Sequence, residues 1–422
     1  MNPGQAKIRA GERSPLATEL AVPGVPPLKG AEVPRVSIVV LNWNGLRHLE
    51  GFVTSMEALD WPADRLEIIA VDNGSDDGSQ AFLRKRAPSI RLIEHSKNLG
   101  FSAGCNDGAG NAAEPGVLVF LNNDLRVEPG FLRALVAPLV AGTCVATAGR
   151  MYAWDGKSLD SAGGGMNFHG IGIQRGYGLA DGVSYDEPRK TLFACGGAMA
   201  MDAGVFAELG GFDGDFFAYY EDVDLGWRTW LAGHEVHYVP GAVCYHHHSS
   251  TSRRVPPERL RRLQVRNPLL ACFKNYDDEN LRKMLPAMLG LATRRALLGA
   301  GPIDDNAYRI EAMTSLPKDG PWQRLVTRLR KRRPQPMART GVADLLAIND
   351  LLGRWDHWRA RRAEVQALRR RPDSAILPLF LRPMWCVEGD PGYAQLQAGM
   401  TDFLGIDELF EGLTTLHEDP RG

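Results

Sequence analysis

The fold of this chain is indicated first by residues 36–45, which read Val-Ser-Ile-Val-Val-Leu-Asn-Trp-Asn-Gly. The apolar run over 36–41 predicts a buried strand, because β-branched residues pack well inside a sheet that is covered on both faces. Similar runs follow, and helix-like segments separate them. Strands are predicted at 66–71, 90–94 and 117–121, and helices at 46–59, 76–87, 103–113 and 129–141. Four such β-α units predict an α/β fold with a mostly parallel, Rossmann-like sheet and helices on both faces.

The composition is that of an ordinary globular protein. The 422 residues include 49 Lys and Arg against 50 Asp and Glu, and 44% are hydrophobic. A wholly disordered chain and a nucleic-acid-binding chain are therefore not expected. The longest apolar stretch, 284–298, is interrupted by Arg294 and Arg295, so no membrane span is predicted. The absence of a signal-peptide pattern, and of a framework among the six cysteines, leads us to expect a reduced, cytoplasmic protein.

Composition and hydrophobic pattern divide the chain into three parts. Residues 1–34, rich in Pro, Gly and Ala, are predicted to be a disordered lead-in, and residues 35–255 an α/β domain. Residues 256–422 are predicted to be a separate, basic and mainly helical C-terminal region. Its helices are predicted at 258–273, 280–299, 321–333 and 341–370.

Two segments depart from the average composition. Glycines crowd residues 155–188, which predicts a long loop that is either functional or mobile. Residues 253–372 carry 27 Lys and Arg against 12 Asp and Glu, a net charge of +15. Solvated helix faces explain this excess, and so does contact between residues 256–372 and an anionic membrane, with the basic run at 328–333 as its centre. A protein partner or self-association fits the same residues.

Polar clusters follow three of the predicted strands. They are 42–45 (Asn-Trp-Asn-Gly), 72–78 (Asp-Asn-Gly-Ser-Asp-Asp-Gly) and 122–124 (Asn-Asn-Asp). One cluster alone is better explained by turns and helix capping. Three of them at the carboxyl ends of parallel strands predict a ligand site. If the chain stays extended, Asn122 and Asp124 share one face, where a divalent cation could be held together with a diphosphate.

The segment 216–228 carries the acids best suited to catalysis. Val223, Trp227 and Trp230 mark the apolar face of a helix, which places Glu221 and Asp222 in its first turn. Acids are favoured there structurally as well, and Asp224 with Arg228 has the spacing of an ordinary surface ion pair. The aromatic run before the acids would raise the pKa of a neighbouring carboxyl, which favours a catalytic role for one acid of Glu221 and Asp222.

Three histidines follow the apolar run at 243–245. In an extended strand His246 and His248 share a face and His247 takes the other, so at most two imidazoles can approach one ion.

Taken in order, five motifs resemble those of the family 2 glycosyltransferases, in particular the rhamnosyltransferase-like branch. The motifs are VSIVVLNWN (36–44), VDNGSDDGS (71–79), NLGFSAGCN (98–106), LNND (121–124) and YEDVDL (220–225). The resemblance covers about residues 35–255. It implies a GT-A fold, a nucleotide-sugar donor, a divalent metal ion, either Mg²⁺ or Mn²⁺, and inversion at the anomeric carbon.

The resemblance also implies roles for individual residues. For the donor, it implies that Asp72 contacts the base or ribose of the nucleotide and that Asn42 and Asn44 line the same pocket. It implies that Asn98 and Gly100 help to shape the donor site. Asn122, Asn123 and Asp124 would take the place of the family's DxD motif. For the metal ion, it implies Asp124 as one ligand and a histidine as another. His246 is the better match for that histidine, and His248 is the second. For the reaction, it implies that one of the two acids is the base, with Asp222 favoured over Glu221. It also implies that Gly196 and Gly197 lie near the acceptor. Asn122 stands where the family often has an aspartate, so one anionic ligand is missing.

The sequence therefore predicts transfer of a sugar from a dTDP- or UDP-sugar to a glycan or lipid-linked glycan in cell-surface polysaccharide biosynthesis. The enzyme is expected to be cytoplasmic or peripheral at the inner face of the plasma membrane. One alternative is a non-catalytic module that binds a nucleotide sugar or glycan. A nucleotidyltransferase fits less well, because residues 42–45 lack the basic, Gly-rich loop expected after its first strand.

Overall fold

The computed structural model describes residues 20–30, 33–180, 182, 185–247, 255–301, 322 and 337–413. All four predicted strands are present at nearly the predicted positions. The strands are β1 Val36–Asn42, β2 Leu66–Asp72, β3 Arg91–Glu94, β4 Val117–Asn122, β5 Leu125–Val127, β6 Ala146–Ala153, β7 Leu159–Ser161, β8 Gly164–Met166, β9 Gly172–Gln174, β10 Arg189–Lys190, β11 Ala198–Asp202 and β12 Val236–His246.

The predicted helices of the α/β part are also present, one to four residues shorter than predicted, and the helix predicted at 103–113 begins two residues earlier. The helices are α1 Leu46–Glu57, α2 Ser79–Arg86, α3 Phe101–Gly110, α4 Phe131–Val140, α5 Ala203–Glu208, α6 Glu221–Leu231, α7 Pro257–Asn275, α8 Asp278–Gly299, α9 Arg339–Gly353, α10 Trp355–Ala367, α11 Pro391–Phe403 and α12 Asp407–Phe410. The predicted helix at 321–333 lies outside the described residues apart from 322. Of the helices listed above, none has the length and apolarity needed to cross a lipid bilayer.

Ten strands of the described chain form one mixed sheet. Its order is β10-β12-β6-β11-β4-β1-β2-β3, with β5 on β12 and β7 on β6. The four strands β4, β1, β2 and β3 run parallel, and β11 lies antiparallel between β4 and β6. The expected α/β class is confirmed, with a parallel half that carries the motifs and a mixed half beside it.

Alternation along β1 and β4 divides the core between the two faces of the sheet. Val39 and Phe120 face one cluster, which includes side chains of α3, α5 and α6. Ile38 and Val119 face the other cluster, which includes side chains of α1, α2 and α4. Because every residue of these strands meets a helix on one side or the other, the runs contain almost no polar residues.

The C-terminal helices share the first of these two cores. Leu270 and Phe273 of α7, Met284 of α8 and Trp358 of α10 are buried in the same cluster as the sheet residue Val39. Their predicted helical character is confirmed, but in the described residues they do not form a separate core. The boundary at 255/256 stays a prediction about chain organisation.

The glycine-rich segment is packed rather than loose. It contains the short strands β7, β8 and β9, and most residues from Leu159 to Gly170 are buried. A Cβ atom at Gly164 would lie 2.2 Å from the ring of Phe193, so glycine is needed there for close approach of the backbone. The prediction of a long irregular or mobile loop over 155–188 is therefore wrong for its described residues.

Part of the predicted lead-in contacts the α/β domain. Leu20 is buried in the first core, and Ala21 forms a β-bridge with Arg189. Leu28 donates its backbone N–H to the carbonyl of Arg133 over 3.0 Å. Residues 20–30 thus pack on the domain, and residues 1–19, 31 and 32 lie outside the described chain.

A buried group of charged residues joins α6 to α7. Asp224 is fully buried and accepts hydrogen bonds from Arg228 Nε at 2.7 Å and from Lys274 Nζ at 2.8 Å. Lys274 also donates to Asp213 over 2.5 Å, and Asn275 donates to Asp224 over 2.9 Å. The expectation of a surface ion pair between Asp224 and Arg228 is wrong, because α7 covers this side of α6.

Replacing Lys274 by Met should strongly destabilise the protein. It would leave the buried carboxylates of Asp213 and Asp224 without their shared cation, which should lower the free energy of unfolding by about 3–5 kcal/mol. Urea unfolding followed by tryptophan fluorescence would measure this change. The matched control is Lys157→Met, because Lys157 is 83% exposed and should change stability by less than about 0.5 kcal/mol. Equal stability of the two variants would contradict this account of the charged group.

Candidate active site

The three predicted polar clusters meet at one edge of the parallel sheet. The register pairs Asn42 with Asp72 and Leu41 with Asn122, so the ends of β1, β2 and β4 lie side by side. Asn42 Nδ2 donates to Asp72 Oδ2 over 2.7 Å, and Asn123 Nδ2 donates to Asn42 Oδ1 over 2.6 Å. The structure therefore brings Asn42, Asp72 and Asn123 together through one continuous chain of hydrogen bonds.

Asp72 lies at the buried end of this line of hydrogen bonds. It is fully buried, and its Oδ1 accepts from the Ser75 backbone N–H and from Gln80 Nε2, each over 2.8 Å. Asn44 is only half-buried, and its Oδ1 accepts from the backbone of Asp76. In this geometry the Asp72 carboxylate holds the turn that follows β2, through Ser75, and the end of β1, through Asn42. Contact of its carboxylate with a nucleotide stays a prediction.

Asn98 and Gly100 belong to a second set of bonds beside the first. Asn98 Oδ1 accepts from Asn73 Nδ2 at 3.0 Å and from the Gly100 N–H at 2.8 Å. Gly100 has φ +90°, and a Cβ atom there would lie 2.4 Å from the carbonyl oxygen of Phe217. Gly100 therefore allows the start of α3 to touch the segment that leads into the predicted catalytic acids.

The Asn122-Asn123-Asp124 segment does not stay extended. β4 ends at Asn122 and the chain turns through 123 and 124 into β5, which pairs with β12. The expectation that Asn122 and Asp124 share one sheet face is therefore wrong. Asn122 lies against Gly197, Asn123 bonds to Asn42, and Asp124 approaches His246.

His246 stands at the end of β12 between two carboxylates. Its Nε2 lies 3.3 Å from Asp124 Oδ1, and its Nδ1 lies 2.6 Å from Asp160 Oδ2. Burial lowers the pKa of His246, but hydrogen bonds to Asp124 and Asp160 outweigh it and raise the pKa to about 9. Sequence reasoning missed Asp160, which lies in the glycine-rich segment without a motif around it. His248 lies outside the described residues.

A carboxylate on one imidazole nitrogen and a ligand position on the other is the arrangement that orients metal-binding histidines. Asp160 supplies that carboxylate, so Asp124 and His246 fit a divalent cation chemically, provided that the cation displaces the proton that His246 holds between the two carboxylates. Among the described residues, no group of three or more His, Cys, Asp or Glu side chains could hold a metal ion. A cation here would need further oxygen ligands, which a diphosphate can supply.

The two acids at the start of α6 occupy different environments. Glu221 is 6% exposed, and its Oε2 has no hydrogen-bond partner in the described part of the chain. Burial, together with the neighbouring Asp222, raises the pKa of Glu221 well above its usual value. Asp222 is half-buried and accepts from the backbone N–H groups of Gly196 at 3.0 Å and Val223 at 2.8 Å. Burial raises the pKa of Asp222, and these two bonds oppose that shift.

Gly196 and Gly197 connect the two acids to the strand-end cluster, which consists of Asn42, Asp72, Asn122 and Asn123 at the ends of β1, β2 and β4. The N–H of Gly196 bonds to Asp222, and the carbonyl of Gly197 accepts from the backbone N–H of Asn122 over 2.9 Å. A Cβ atom at Gly197 would lie 2.7 Å from Asn122 Nδ2, so a side chain there would displace Asn122. The structure thus places both predicted acceptor glycines between Asp222 and Asn122.

Comparison with known proteins agrees with these motifs. Residues 37–210 match the family model described as glycosyl transferase family 2. The N-acetylglucosaminyl-diphospho-decaprenol L-rhamnosyltransferase of Mycobacterium tuberculosis is 29% identical over 246 residues, which cover 53% of this chain and 79% of that protein. The rhamnosyltransferase WbbL of Escherichia coli is 40% identical over 74 residues, or 15% of this chain and 28% of WbbL.

Solved glycosyltransferase structures are more distant. GalNAc-T7 with UDP, GalNAc and Mn²⁺ has a TM-score of 0.49 at 16% identity, covering 72% of this chain and 59% of that one. The mannosyltransferase PcManGT of Pyrobaculum calidifontis, in complex with GDP-Man and Mn²⁺, has a TM-score of 0.43 at 17% identity, covering 86% and 90%. The fold assignment therefore rests on the strand order described above. The family match and the sequence relatives indicate that residues 37–210 form a glycosyl transferase family 2 domain that is similar to rhamnosyltransferases.

Proposed function

We propose that this enzyme transfers a sugar, with inversion, from a dTDP- or UDP-sugar to a hydroxyl of a glycan or lipid-linked glycan in cell-surface polysaccharide biosynthesis. The observation that carries the proposal is the link from Asp222 through Gly196 and Gly197 to Asn122. Asp222 lies at one end of that link, where it can serve an acceptor hydroxyl. The other end adjoins Asp124 and His246, which have the chemistry to hold the diphosphate side of a donor.

Asp222 is the proposed base. A sugar hydroxyl is a weak nucleophile at neutral pH, so a carboxylate must take its proton as it attacks. Asp222 is the more accessible of the two acids, and two backbone N–H groups favour its charged form. Glu221 is enclosed, and burial favours its protonated form. We therefore propose that Glu221 has a structural role in the buried surface behind Asp222 and does not itself accept the proton.

The same assignment supports a single displacement. A double displacement needs a nucleophile that can reach the anomeric carbon, and the buried Glu221 does not offer an accessible carboxylate. Attack by the acceptor oxygen opposite the departing diphosphate inverts the anomeric carbon. The hydroxyl proton passes to Asp222 as the bond between the anomeric carbon and the diphosphate breaks.

Asp124 and His246 would hold Mg²⁺ or Mn²⁺, with Asp160 orienting the imidazole. A bound cation supplies positive charge that offsets the charge developing on the departing diphosphate. Asn122 contributes an amide rather than a second carboxylate at this edge of the site. We therefore propose that metal and nucleotide bind together, with the diphosphate completing the metal's ligands.

The sequence relatives suggest the donor sugar and the acceptor class. The Mycobacterium tuberculosis relative is named as an L-rhamnosyltransferase that acts on N-acetylglucosaminyl-diphospho-decaprenol, and the Escherichia coli relative as a rhamnosyltransferase. We propose rhamnose as the first sugar to test, supplied as dTDP-L-rhamnose, and a lipid-linked glycan as the acceptor.

A lipid-linked acceptor would bring the enzyme to a membrane surface, and we propose peripheral contact through residues 256–372 at the inner face of the plasma membrane. Helix α9 supports this proposal. Val342, Leu345, Leu346 and Leu352 are 39–51% exposed on a helix whose opposite face is buried against α7 and α8. Arg339, at the start of the same helix, has an 85% exposed side chain. Apolar side chains beside an exposed cation suit an anionic lipid surface, although Arg339 is also paired with Glu258 over 3.2 Å. The basic run at 328–333 lies outside the described residues.

Calorimetric titration of UDP, dTDP and GDP tests the donor site. One nucleotide should bind more tightly with Mn²⁺ than without it. Replacing Asp124 by Ala should remove most of that gain, about tenfold or more in affinity, because a metal ligand is lost. The control is Asp64→Ala, because Asp64 is an 82% exposed acid. Binding of no nucleotide under any metal condition would contradict the proposal and favour a non-catalytic glycan-binding module.

Isosteric changes at the two acids test the base. Asp222→Asn should lower kcat by about 10²–10⁴, because it removes the proton acceptor. Glu221→Gln copies the protonated form and should lower kcat by less than about tenfold. In the wild type, the rate should fall as pH drops through the raised pKa of Asp222, because only the carboxylate accepts a proton. Steady-state transfer from dTDP-L-rhamnose at several pH values measures both effects. A larger loss in Glu221→Gln than in Asp222→Asn would reverse the assignment.

Vesicle flotation tests the membrane proposal. The protein should float with phosphatidylglycerol-containing vesicles and remain unbound with pure phosphatidylcholine, because its proposed surface is basic. Replacing both Leu345 and Leu346 by Gln should reduce recovery on the anionic vesicles. The control is Val140→Gln on α4, where an apolar side chain of similar exposure, 51%, lies outside the C-terminal region. Equal recovery on the two vesicle types would show that no such contact exists.

A further inference from the structure

The turn that precedes the catalytic acids has an unusual backbone. Phe217, Tyr219 and Tyr220 have φ angles of +64°, +69° and +70°, although none of them is glycine. Bulky L-residues rarely adopt this left-handed region, because Cβ crowds the backbone. Three of them within four residues need outside contacts to hold them.

Those contacts come largely from one amide on helix α7. The side chain of Asn267 is fully buried, and its Nδ2 lies within hydrogen-bond distance of three carbonyl oxygens of the turn. The distances are 3.1 Å to Phe216, 2.9 Å to Ala218 and 2.7 Å to Tyr219. The amide hydrogens of a single asparagine therefore bond the carbonyls on both sides of Phe217.

Arg266 extends the same contact. Its Nη2 donates to the carbonyl of Asp215 over 2.8 Å and to that of Phe216 over 3.2 Å. Its Nε donates to Asn267 Oδ1 over 2.9 Å, which fixes the orientation of the amide. The donor and acceptor groups of the Asn267 side chain are thus all engaged.

Helix α3 holds the remaining carbonyl from the other side. The backbone N–H groups of Phe101 and Ser102 donate to Phe217 O over 2.6 and 3.3 Å. The turn is therefore fixed between the start of α3 and the middle of α7. It ends at Tyr220, and the next two residues are Glu221 and Asp222.

A buried polar side chain in a helix is costly unless it is fully hydrogen-bonded. Asn267 is followed by Pro268, Leu269 and Leu270, all buried, so an apolar residue would satisfy the packing of α7 at this point. The bonds to the turn supply the specific reason for an amide.

We propose that Asn267 is a positioning residue for catalysis: it holds the 216–220 turn in its left-handed conformation and so fixes Asp222 against Gly196. The catalytic consequence rests on the proposed role of Asp222 as the base, whereas the structural effect on the turn does not. Helix α7 thereby belongs to the working active site, although it lies outside the segment that matches the family model, 37–210.

The experiment compares Asn267→Ala and Asn267→Asp with Gln366→Ala. Gln366 is a matched control, because its Nε2 also contacts three backbone carbonyls, those of Lys274, Asn275 and Tyr276, away from the turn. Hydrogen–deuterium exchange of a peptide covering 214–222 should rise by about tenfold or more in both Asn267 variants. It should stay near the wild-type value in Gln366→Ala. If Asn267→Asp does not fold, Asn267→Ala carries the same measurement.

Kinetics then separate positioning from general stability. With dTDP-L-rhamnose as donor, Asn267→Ala should lower kcat by about tenfold to a hundredfold, because a misplaced base loses its orientation. The affinity for the nucleotide identified by calorimetry should stay within about threefold of wild type, because the strand-end cluster is untouched. The acid limb of the pH–rate profile should shift in Asn267→Ala and not in Gln366→Ala.

Unchanged exchange over 214–222 in the Asn267 variants would overturn the proposal, whatever the activity. Raised exchange with a loss of kcat no larger than that of Gln366→Ala would overturn the positioning role. A wild-type enzyme inactive with every donor that binds would refute the proposed function instead, and the exchange measurement would still decide whether Asn267 holds the turn.

Discussion

The buried carboxylate of Asp224 is the constraint on which the active site depends. A charge in the protein interior must be matched by an opposite charge, and here Arg228 of the same helix and Lys274 of α7 both bond to it. Such groups contribute little net stability compared with apolar packing, but they are costly to separate. Asp224 is two residues beyond Asp222, and Lys274 is seven residues beyond Asn267. The same two helices therefore hold both the first turn of α6 and the left-handed turn before it, so the position of Asp222, the proposed base, depends on α7.

The strand-end cluster is held mainly by amides rather than by paired charges. Asn123, Asn42 and Asp72 form a line of hydrogen bonds with a single carboxylate at its closed end. With Asn122 in place of an acid, the accessible side of the cluster carries less negative charge than a pair of aspartates would give it. A diphosphate at this edge would meet less repulsion, while a divalent cation would meet fewer ligands. Both effects are consistent with the proposal that the metal binds with the nucleotide rather than before it.

Local patterns predicted much of the fold and part of the site. The strands β1, β2 and β4 and the start of α6 follow from apolar periodicity, and the polar clusters at strand ends are visible as motifs. Asp160 and Asn267 are not, because they contact His246 and the 216–219 segment across 86 and 48–51 residues of sequence. The prediction for the glycine-rich segment is wrong for a different reason. Glycine is compatible with mobility and with close backbone packing, and only the position of Phe193 against Gly164 shows which applies. The turn at 123–124 likewise depends on the pairing of β5 with β12, which no local pattern reveals.

The proposed division of roles between Glu221 and Asp222 is consistent with helix geometry. Successive residues in a first turn point about 100° apart, and here Glu221 is buried while its neighbour Asp222 is only half-buried. The core-facing acid, Glu221, is held without a hydrogen-bond partner for Oε2 in the described chain, which favours its neutral form. A neutral neighbour removes the like-charge repulsion that would raise the pKa of Asp222 further. The backbone N–H of Gly196 favours the charged form of Asp222 against the effect of burial and fixes its carboxylate beside the segment that borders Asn122. Because one short segment, Gly196 and Gly197, contacts both Asp222 and Asn122, a shift of either residue displaces the other. The proposed reaction, which joins an acceptor oxygen to a donor carbon, would depend on that alignment.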